Sequence, residues 1–211
     1  MIEKSRMIEL FQSADSYQEL LAYVHEEEKY AKWSRGFVDA VSLEPYFSEI
    51  IGIKRGKLLK GVSKPDSNRI QYVYDIQDRL IYVIKYMQPL KNGQGFLHDD
   101  HIIKYEGNCA VQYGFTSISE KNPKLKAVSC FEFEGARVLS KTTLGNNYET
   151  FPERFTSTKY TYRGDVLTGI TVSWPDGPYP DRVLEVYPES EKDVSIYEVT
   201  AKKGKVLVYP K

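Results

Sequence analysis

The sequence predicts an α+β fold in which N-terminal helices pack on a large, twisted, mainly antiparallel β-meander. Two observations predict it: a doublet motif recurs through the middle of the chain, and the first quarter carries apolar residues at helical spacing. In the motif, an aromatic residue, or once an isoleucine, stands two positions before a second aromatic that a charged residue follows directly. The copies are Tyr72–Asp75, Ile103–Glu106, Phe131–Glu134 and Tyr160–Arg163. Units that recur at this length are typical of repeated architecture.

Each copy of the motif predicts one β-hairpin. The second aromatics are 31, 28 and 29 residues apart, and in the last three copies a glycine follows the charged residue. Gly107, Gly135 and Gly164 therefore stand where a tight hairpin turn requires positive φ. A fifth hairpin without the doublet is predicted from 195–200 and 205–209. Because isolated hairpins are marginal in water, these units should pair into one meander of roughly ten strands.

The N-terminal part of the chain is predicted to be helical. A short apolar stretch up to Phe11 predicts one helix, and a second should run from Tyr17 to about Trp33 after the N-cap candidates at 13–16. A third helical stretch is predicted from Phe37 to Ile51, interrupted near Pro45. We therefore assign residues 1–55 to a helical region packed on the sheet and 56–211 to the meander, with 52–68 as a basic connection. A helical segment of roughly 50 residues would be marginal alone, so one compact unit is expected.

The composition limits the classes of protein that this chain can represent. Its 211 residues hold 29 Lys and Arg against 29 Asp and Glu, which gives no general attraction to nucleic acid or to acidic membranes. The sequence has no apolar run of membrane-spanning length and no secretion signal, so a cytoplasmic location is predicted. Cys109 and Cys130 lie in strand-like segments and are interpreted as small buried hydrophobes, with a disulfide between them as the minority alternative. The 17 tyrosines suit half-buried sheet faces and recognition surfaces.

Two histidines and two aspartates form the one cluster with metal-ligand character, His98-Asp99-Asp100-His101. A metal-dependent or carboxylate-dependent hydrolase centred on these residues is one interpretation. The other is a solvated loop with a charged tip, because residues three apart in an extended loop point in different directions. We favour the loop.

The sequence contains no Gly-x-Ser-x-Gly elbow, no cysteine with a histidine partner in context, and no complete phosphate loop. It therefore predicts neither an enzyme nor a bound cofactor. The aromatic, Pro-rich turn from Trp174 to Pro180 could bind a sugar or a peptide, although turn chemistry alone accounts for its composition. A glycan-binding or ligand-binding β-sheet protein using Trp174 and Tyr179 thus remains a further alternative.

The first hairpin, Tyr72-Val73-Tyr74-Asp75-Ile76-Gln77-Asp78-Arg79-Leu80, resembles the YD repeat of Rhs proteins, whose units carry Tyr-Asp, a turn and then Arg-Leu. The later copies keep the aromatic and the turn but lose Tyr-Asp and Arg-Leu. Among short chains, such degenerate repeats resemble the immunity proteins of polymorphic toxin systems. That resemblance implies a protein that binds one cognate toxin domain and blocks its active site, without catalytic residues of its own.

The leading hypothesis is therefore a cytoplasmic immunity protein that contacts its toxin through the open sheet face, a sheet edge or its variable loops, without binding nucleic acid or membrane directly. Asp99 and Asp100 are predicted contacts because toxins that act on nucleic acid tend to be basic. Trp174 and Tyr179 are the other predicted contacts, since aromatic residues are common in binding hot spots. The chain is expected to be a monomer or a homodimer paired through exposed sheet edges.

Overall fold

In the computed structural model, thirteen strands of the described part of the chain form one antiparallel sheet. The structure describes residues 2–38, 42–61, 63–90, 95–118, 123–145, 154–189 and 193–210. The helices are α1 Lys4–Gln12, α2 Tyr17–Glu27 and α3 Phe47–Ile50. The strands are β1 Tyr30–Arg35, β2 Lys57–Leu58, β3 Arg69–Tyr74, β4 Leu80–Pro89, β5 Phe96–Glu106, β6 Cys109–Ile118, β7 Leu125–Glu134, β8 Arg137–Gly145, β9 Arg154–Arg163, β10 Val166–Ser173, β11 Arg182–Pro188, β12 Val194–Thr200 and β13 Gly204–Tyr209.

The predicted hairpin repeats are confirmed, because β3 to β13 lie side by side in chain order. Gly107, Gly135 and Gly164 adopt φ of 61°, 61° and 60°, and Asp78 takes the equivalent conformation in the first hairpin with φ 59°. These tight turns all lie at one end of the sheet. The connections β4–β5, β6–β7, β8–β9 and β10–β11 lie at the opposite end, which we call the loop end.

In two copies of the motif, the second aromatic joins a hairpin to the preceding one through its hydroxyl. The Tyr105 hydroxyl donates to the carbonyl of Leu80 at 3.1 Å, and the Tyr162 hydroxyl donates to the carbonyl of Val138 at the same distance. An arginine of the preceding hairpin also lies over each ring. Arg79, directly before β4, is 4.7 Å from the ring centroid of Tyr105, and Arg137, the first residue of β8, is 5.8 Å from the ring centroid of Tyr162. In these two copies, the motif thus contributes directly to the contact between successive hairpins.

Helices α1 and α2 cover one face of the sheet. Ser16 and Glu19 form a reciprocal capping box at the start of α2, which satisfies backbone N–H groups that the first turn leaves unpaired. Met7, Leu20 and Val24 are buried against apolar side chains of β3 to β9. The helices therefore protect the middle of this face from water.

The segment from Phe37 to Ile50 contributes side chains to the core of the opposite face. Glu44 pairs with Lys141 of β8 at 2.6 Å, and α3 contacts β13 at the far edge of the sheet. The chain from the end of β1 to α3 can span at most about 40 Å, whereas a flat sheet would separate β1 from β13 by about 50 Å. The sheet must therefore curve toward this face.

The helical prediction for the N-terminal region is wrong beyond Glu27. Glu28 adopts extended backbone, and Tyr30–Arg35 forms β1 instead of the last turns of α2. This strand pairs along its whole length with β3, so hydrogen bonds to the sheet outweigh the local helical pattern. Of the third predicted helix only Phe47–Ile50 is helical, and residues 39–41 lie outside the described part. The fold is mainly β, with more strands than the predicted ten.

The prediction of buried cysteines is confirmed for Cys130 but not for Cys109, which is partly exposed. Cys109 and Cys130 are free, and Cys130 is buried. Burial raises the pKa of the Cys130 thiol to about 12, so this group stays protonated and unreactive at neutral pH. None of the helices in the described ranges is long and apolar enough to cross a membrane.

Candidate binding site

The loop end of the sheet carries a groove of about 1180 Å³ beneath the β10–β11 connection. The groove collects side chains from four places: the start of α1, the start of β9, the β10–β11 connection and the end of β12. Its apolar lining is Phe155, Trp174, Pro178, Tyr179, Pro180, Val199 and Ala201. A concave surface with aromatic and apolar walls is the usual form of a ligand-binding or peptide-binding site.

Trp174 and Tyr179, both predicted contacts, lie together in this groove. Their ring centroids are 6.1 Å apart at an interplanar angle of 66°, an edge-to-face arrangement. The connection turns tightly between them, where the N–H of Gly177 donates to the carbonyl of Trp174 at 2.8 Å. A Cβ at position 177 would lie 3.0 Å from the Trp174 Cβ, so glycine permits this turn. Tyr179 is 65% exposed and available to a partner.

Charged side chains border the groove. Lys4 of α1 pairs with Asp176 at 2.6 Å, and Arg182 pairs with Glu198 at 3.2 Å. The Lys4–Asp176 pair links the β10–β11 connection to the start of α1. Arg154 is exposed at the groove and forms no ion pair with the described residues. The groove therefore offers apolar contact area with polar groups at its border, which is the usual anatomy of a protein-binding surface.

The prediction that His98-Asp99-Asp100-His101 forms a solvated loop is wrong. All four residues lie in β5, and the Asp100 side chain is fully buried. Because side chains alternate along a strand, Asp100 points to the helix-covered face, between α2 and the sheet. The proposed contact between Asp100 and a partner is therefore incompatible with this structure, since other side chains enclose its carboxylate. Asp99 is partly buried and lies on the other face.

The Asp100 carboxylate accepts hydrogen bonds from three side chains. The Tyr17 and Tyr82 hydroxyls each donate to Oδ2 at 2.5 Å, and Nδ1 of His98 lies 2.7 Å from Oδ1. Burial, together with the Asp100 charge, raises the pKa of both tyrosines well above the usual value. The hydroxyls thus stay protonated, and the network joins α2 to β4 and β5. Sequence spacing gave no signal for it, because Tyr17 and Asp100 are far apart in the chain.

The metal-dependent interpretation finds no support in this geometry. His98 and His101 project from opposite faces of β5, and Nδ1 of His101 lies 3.0 Å from Nε2 of Gln112. Within the described ranges, no group of three or more His, Cys, Asp or Glu side chains could hold a metal ion. Burial lowers the pKa of His101, outweighing the opposite effect of Asp99, so this imidazole is neutral at pH 7.

No family model, no curated protein and no solved structure matches this chain.

Proposed function

We propose that this chain is a non-catalytic, cytoplasmic protein-binding module of the immunity type, which neutralises a cognate toxin domain by occluding it. The observation that carries the proposal is the groove at the loop end, where Trp174 and Tyr179 converge. Large aromatic side chains with apolar neighbours are the residues that contribute most to the energy of protein interfaces. The resemblance of the first hairpin to YD repeats supplies the toxin–immunity context.

The buried polar network around Asp100 favours a binding role over a catalytic one. Asp100, His98, Tyr17 and Tyr82 satisfy one another within the core, and a carboxylate that accepts three hydrogen bonds is held in one position. Such a network stabilises a fold rather than exchanging protons with a substrate. The groove, in contrast, leaves Tyr179 exposed and Trp174 partly exposed to solvent.

The proposal is tested by affinity capture from the native host with three tagged proteins. They are the wild type, the groove variant Trp174→Ala with Tyr179→Ala, and the control Tyr187→Ala, which removes an exposed tyrosine of β11 outside the groove. We expect one protein to be recovered with the wild type and the control but not with the groove variant. Loss of a central aromatic residue typically costs about 2 kcal/mol or more of binding energy.

The recovered protein is then expressed alone and with each of the three proteins. We expect it to arrest growth alone, and we expect the wild type and the control, but not the groove variant, to restore growth. A recovered partner that binds all three proteins equally would rule out the groove as the contact surface. A partner that is harmless when expressed alone would rule out the immunity role.

The pair of Trp174, which is partly exposed, and Tyr179, which is exposed, also favours a second candidate function, glycan binding. Retention of the wild type on immobilised glycans, lost in Trp174→Ala, would support this alternative if no protein partner were recovered.

A further inference from the structure

Three basic residues lie directly opposite one another across the strands β2, β1 and β3. The register pairs Arg35 with Lys57 on one side and with Arg69 on the other. Residues paired in this way project from the same face of a sheet, with neighbouring strands about 4.8 Å apart. These three residues, which we call the basic row, therefore place three positive charges side by side at the loop end.

No carboxylate among the described residues compensates the basic row. Within the described part of the chain, none of the three cations forms an ion pair or hydrogen bond with a carboxylate. The Nε of Arg69 is buried without a hydrogen-bond partner. Like charges placed directly opposite each other destabilise a sheet, and a buried donor without an acceptor adds to that cost. An external anion would relieve the repulsion among the three cations.

Two glycines fix the backbone at the basic row. Gly36, directly after Arg35, has φ 75°, a conformation that favours glycine. Gly56, directly before Lys57, is more restricted: a Cβ there would lie 2.4 Å from the carbonyl oxygens of Arg35 and Gly36. The strands carrying Arg35 and Lys57 are therefore joined at a point where no larger residue fits. The row is a built feature of the sheet and not a chance grouping on a loop.

The surrounding segment extends the positive charge. Residues 54–69 contain six Lys and Arg residues and one Asp. Lys54, Lys60 and Lys64 are exposed and have no ion pair with the described residues. Although the whole chain is neutral, this edge of the sheet carries a strong local excess of positive charge, which attracts anionic partners.

We propose that the basic row binds an acidic segment of a protein partner. Nucleic acid is the less suitable occupant, because single strands gain much of their affinity by stacking bases on exposed aromatic rings. Trp33, two residues before Arg35 in β1, is only 6% exposed and is stacked on Tyr86 at 5.8 Å. Carboxylates need no stacking surface, and Arg and Lys side chains bind them by charge-assisted hydrogen bonds. The inference rests on the proposed protein-binding function and reverses the partner charge that Asp99 and Asp100 predicted.

The test uses two labelled probes, a decaglutamate peptide and a decathymidylate strand, with fluorescence anisotropy at low and at physiological ionic strength. The row variant is Arg35→Glu with Lys57→Glu. The control variant, Lys124→Glu with Lys159→Glu, makes the same change in net charge at exposed positions away from the row. We expect the wild type and the control to bind the peptide with similar, salt-sensitive affinity, and the row variant to bind at least about tenfold more weakly.

Equal losses in the row and control variants would overturn the inference, because only net charge would then matter. Tighter binding of decathymidylate than of decaglutamate would overturn the inference in favour of nucleic acid. If the wild type showed no salt-sensitive binding of decaglutamate, the basic row would not be an anion-binding site and the inference would also fail. The neutral variant Arg35→Gln with Lys57→Gln should give an intermediate affinity if the row is the site.

The groove variant separates this inference from the proposed function. Trp174→Ala with Tyr179→Ala should leave decaglutamate binding unchanged, since the groove and the basic row involve different strands. If capture of the partner is lost in the groove variant but kept in the row variant, the protein-binding function stands and the row inference fails. If decaglutamate binds but no partner is ever captured, the protein-binding function fails.

Discussion

Replacing Asp100 by alanine should destabilise the protein strongly while leaving its surface unchanged. The carboxylate is fully buried and accepts hydrogen bonds from Tyr17, Tyr82 and His98. Alanine removes the acceptor and leaves two buried hydroxyls and a partly buried imidazole without it. The loss therefore acts through groups that remain buried, and not through lost contact area.

The magnitude follows from the number of partners. A hydrogen bond to a charged group contributes about 1.5–3 kcal/mol, but the variant no longer carries the cost of burying a carboxylate. Removing one partner from a buried charged interaction typically costs about 3–5 kcal/mol, and we expect Asp100→Ala to fall in that range. Asp100→Asn keeps the shape and one acceptor oxygen, so its cost should be about 1–2 kcal/mol.

The assay is urea unfolding followed by tryptophan fluorescence, with a double-mutant cycle between Asp100→Asn and Tyr82→Phe. The control is Asp165→Ala, whose side chain is 91% exposed and which should cost less than about 1 kcal/mol. A cost for Asp100→Ala as small as that of the control would refute the reasoning. So would additive effects in the cycle, because residues in one network should couple.

Four further changes test other parts of the structure. Asp75→Ala should lower the free energy of unfolding in urea by about 2–4 kcal/mol. The buried carboxylate accepts hydrogen bonds from the backbone N–H groups of Gln77 and Arg79 and pairs with the Arg79 guanidinium. A destabilisation smaller than that caused by removing an exposed aspartate would contradict this. Tyr105→Phe and Tyr162→Phe should each lower the free energy of unfolding by about 1 kcal/mol, since each removes one hydrogen bond between successive hairpins. If both variants were as stable as the wild type, ring packing alone would join the hairpins. Stability should fall as pH rises above 10, because unfolded tyrosines ionise there while burial raises the pKa of Tyr17 and Tyr82 in the folded state; a Tm constant between pH 9 and pH 11 would contradict this. Lys57→Glu should raise the free energy of unfolding by about 0.2–1 kcal/mol by placing an acid opposite Arg35, and a lower Tm would contradict the repulsion in the basic row.

The acid side of the pH profile should also fall, for a related reason. Burial lowers the pKa of His101 below 6.5 in the folded protein. As the pH falls through about 6.5, this histidine takes up a proton in the unfolded chain before it does so in the folded protein. The free energy of unfolding should therefore decrease as the pH falls below about 6.5.

The motif predicted the repeated hairpins correctly because the information is local. Gly107, Gly135 and Gly164 need positive φ, and the turns follow wherever these residues stand. The Asp75–Arg79 turn is equally local, although its full hydrogen bonding was visible only in the structure. Burial acts to raise the pKa of Asp75, but the backbone N–H groups of Arg79 and Gln77 and the Arg79 side chain outweigh it and hold the pKa below its usual value.

The errors concern segments whose conformation depends on distant partners. Residues 30–35 have side chains compatible with a helix face, but the free edge of β3 supplies hydrogen bonds that the local pattern does not register. Asp100 looked like a loop residue because charge usually lies in solvent. It is buried because Tyr17 and Tyr82 supply hydroxyl donors from a helix and a neighbouring strand.

The sequence by itself determined the strand repeat, the turns and the aromatic pair of the β10–β11 connection, since each depends on residues close together in the chain. Only the tertiary structure decided that Trp174 and Tyr179 line a groove, that Asp100 is enclosed, and that Arg35, Lys57 and Arg69 lie in one row. The physical reason is register. Which side chains meet across a sheet depends on the pairing of whole strands, and that pairing is set by the collective burial of the core.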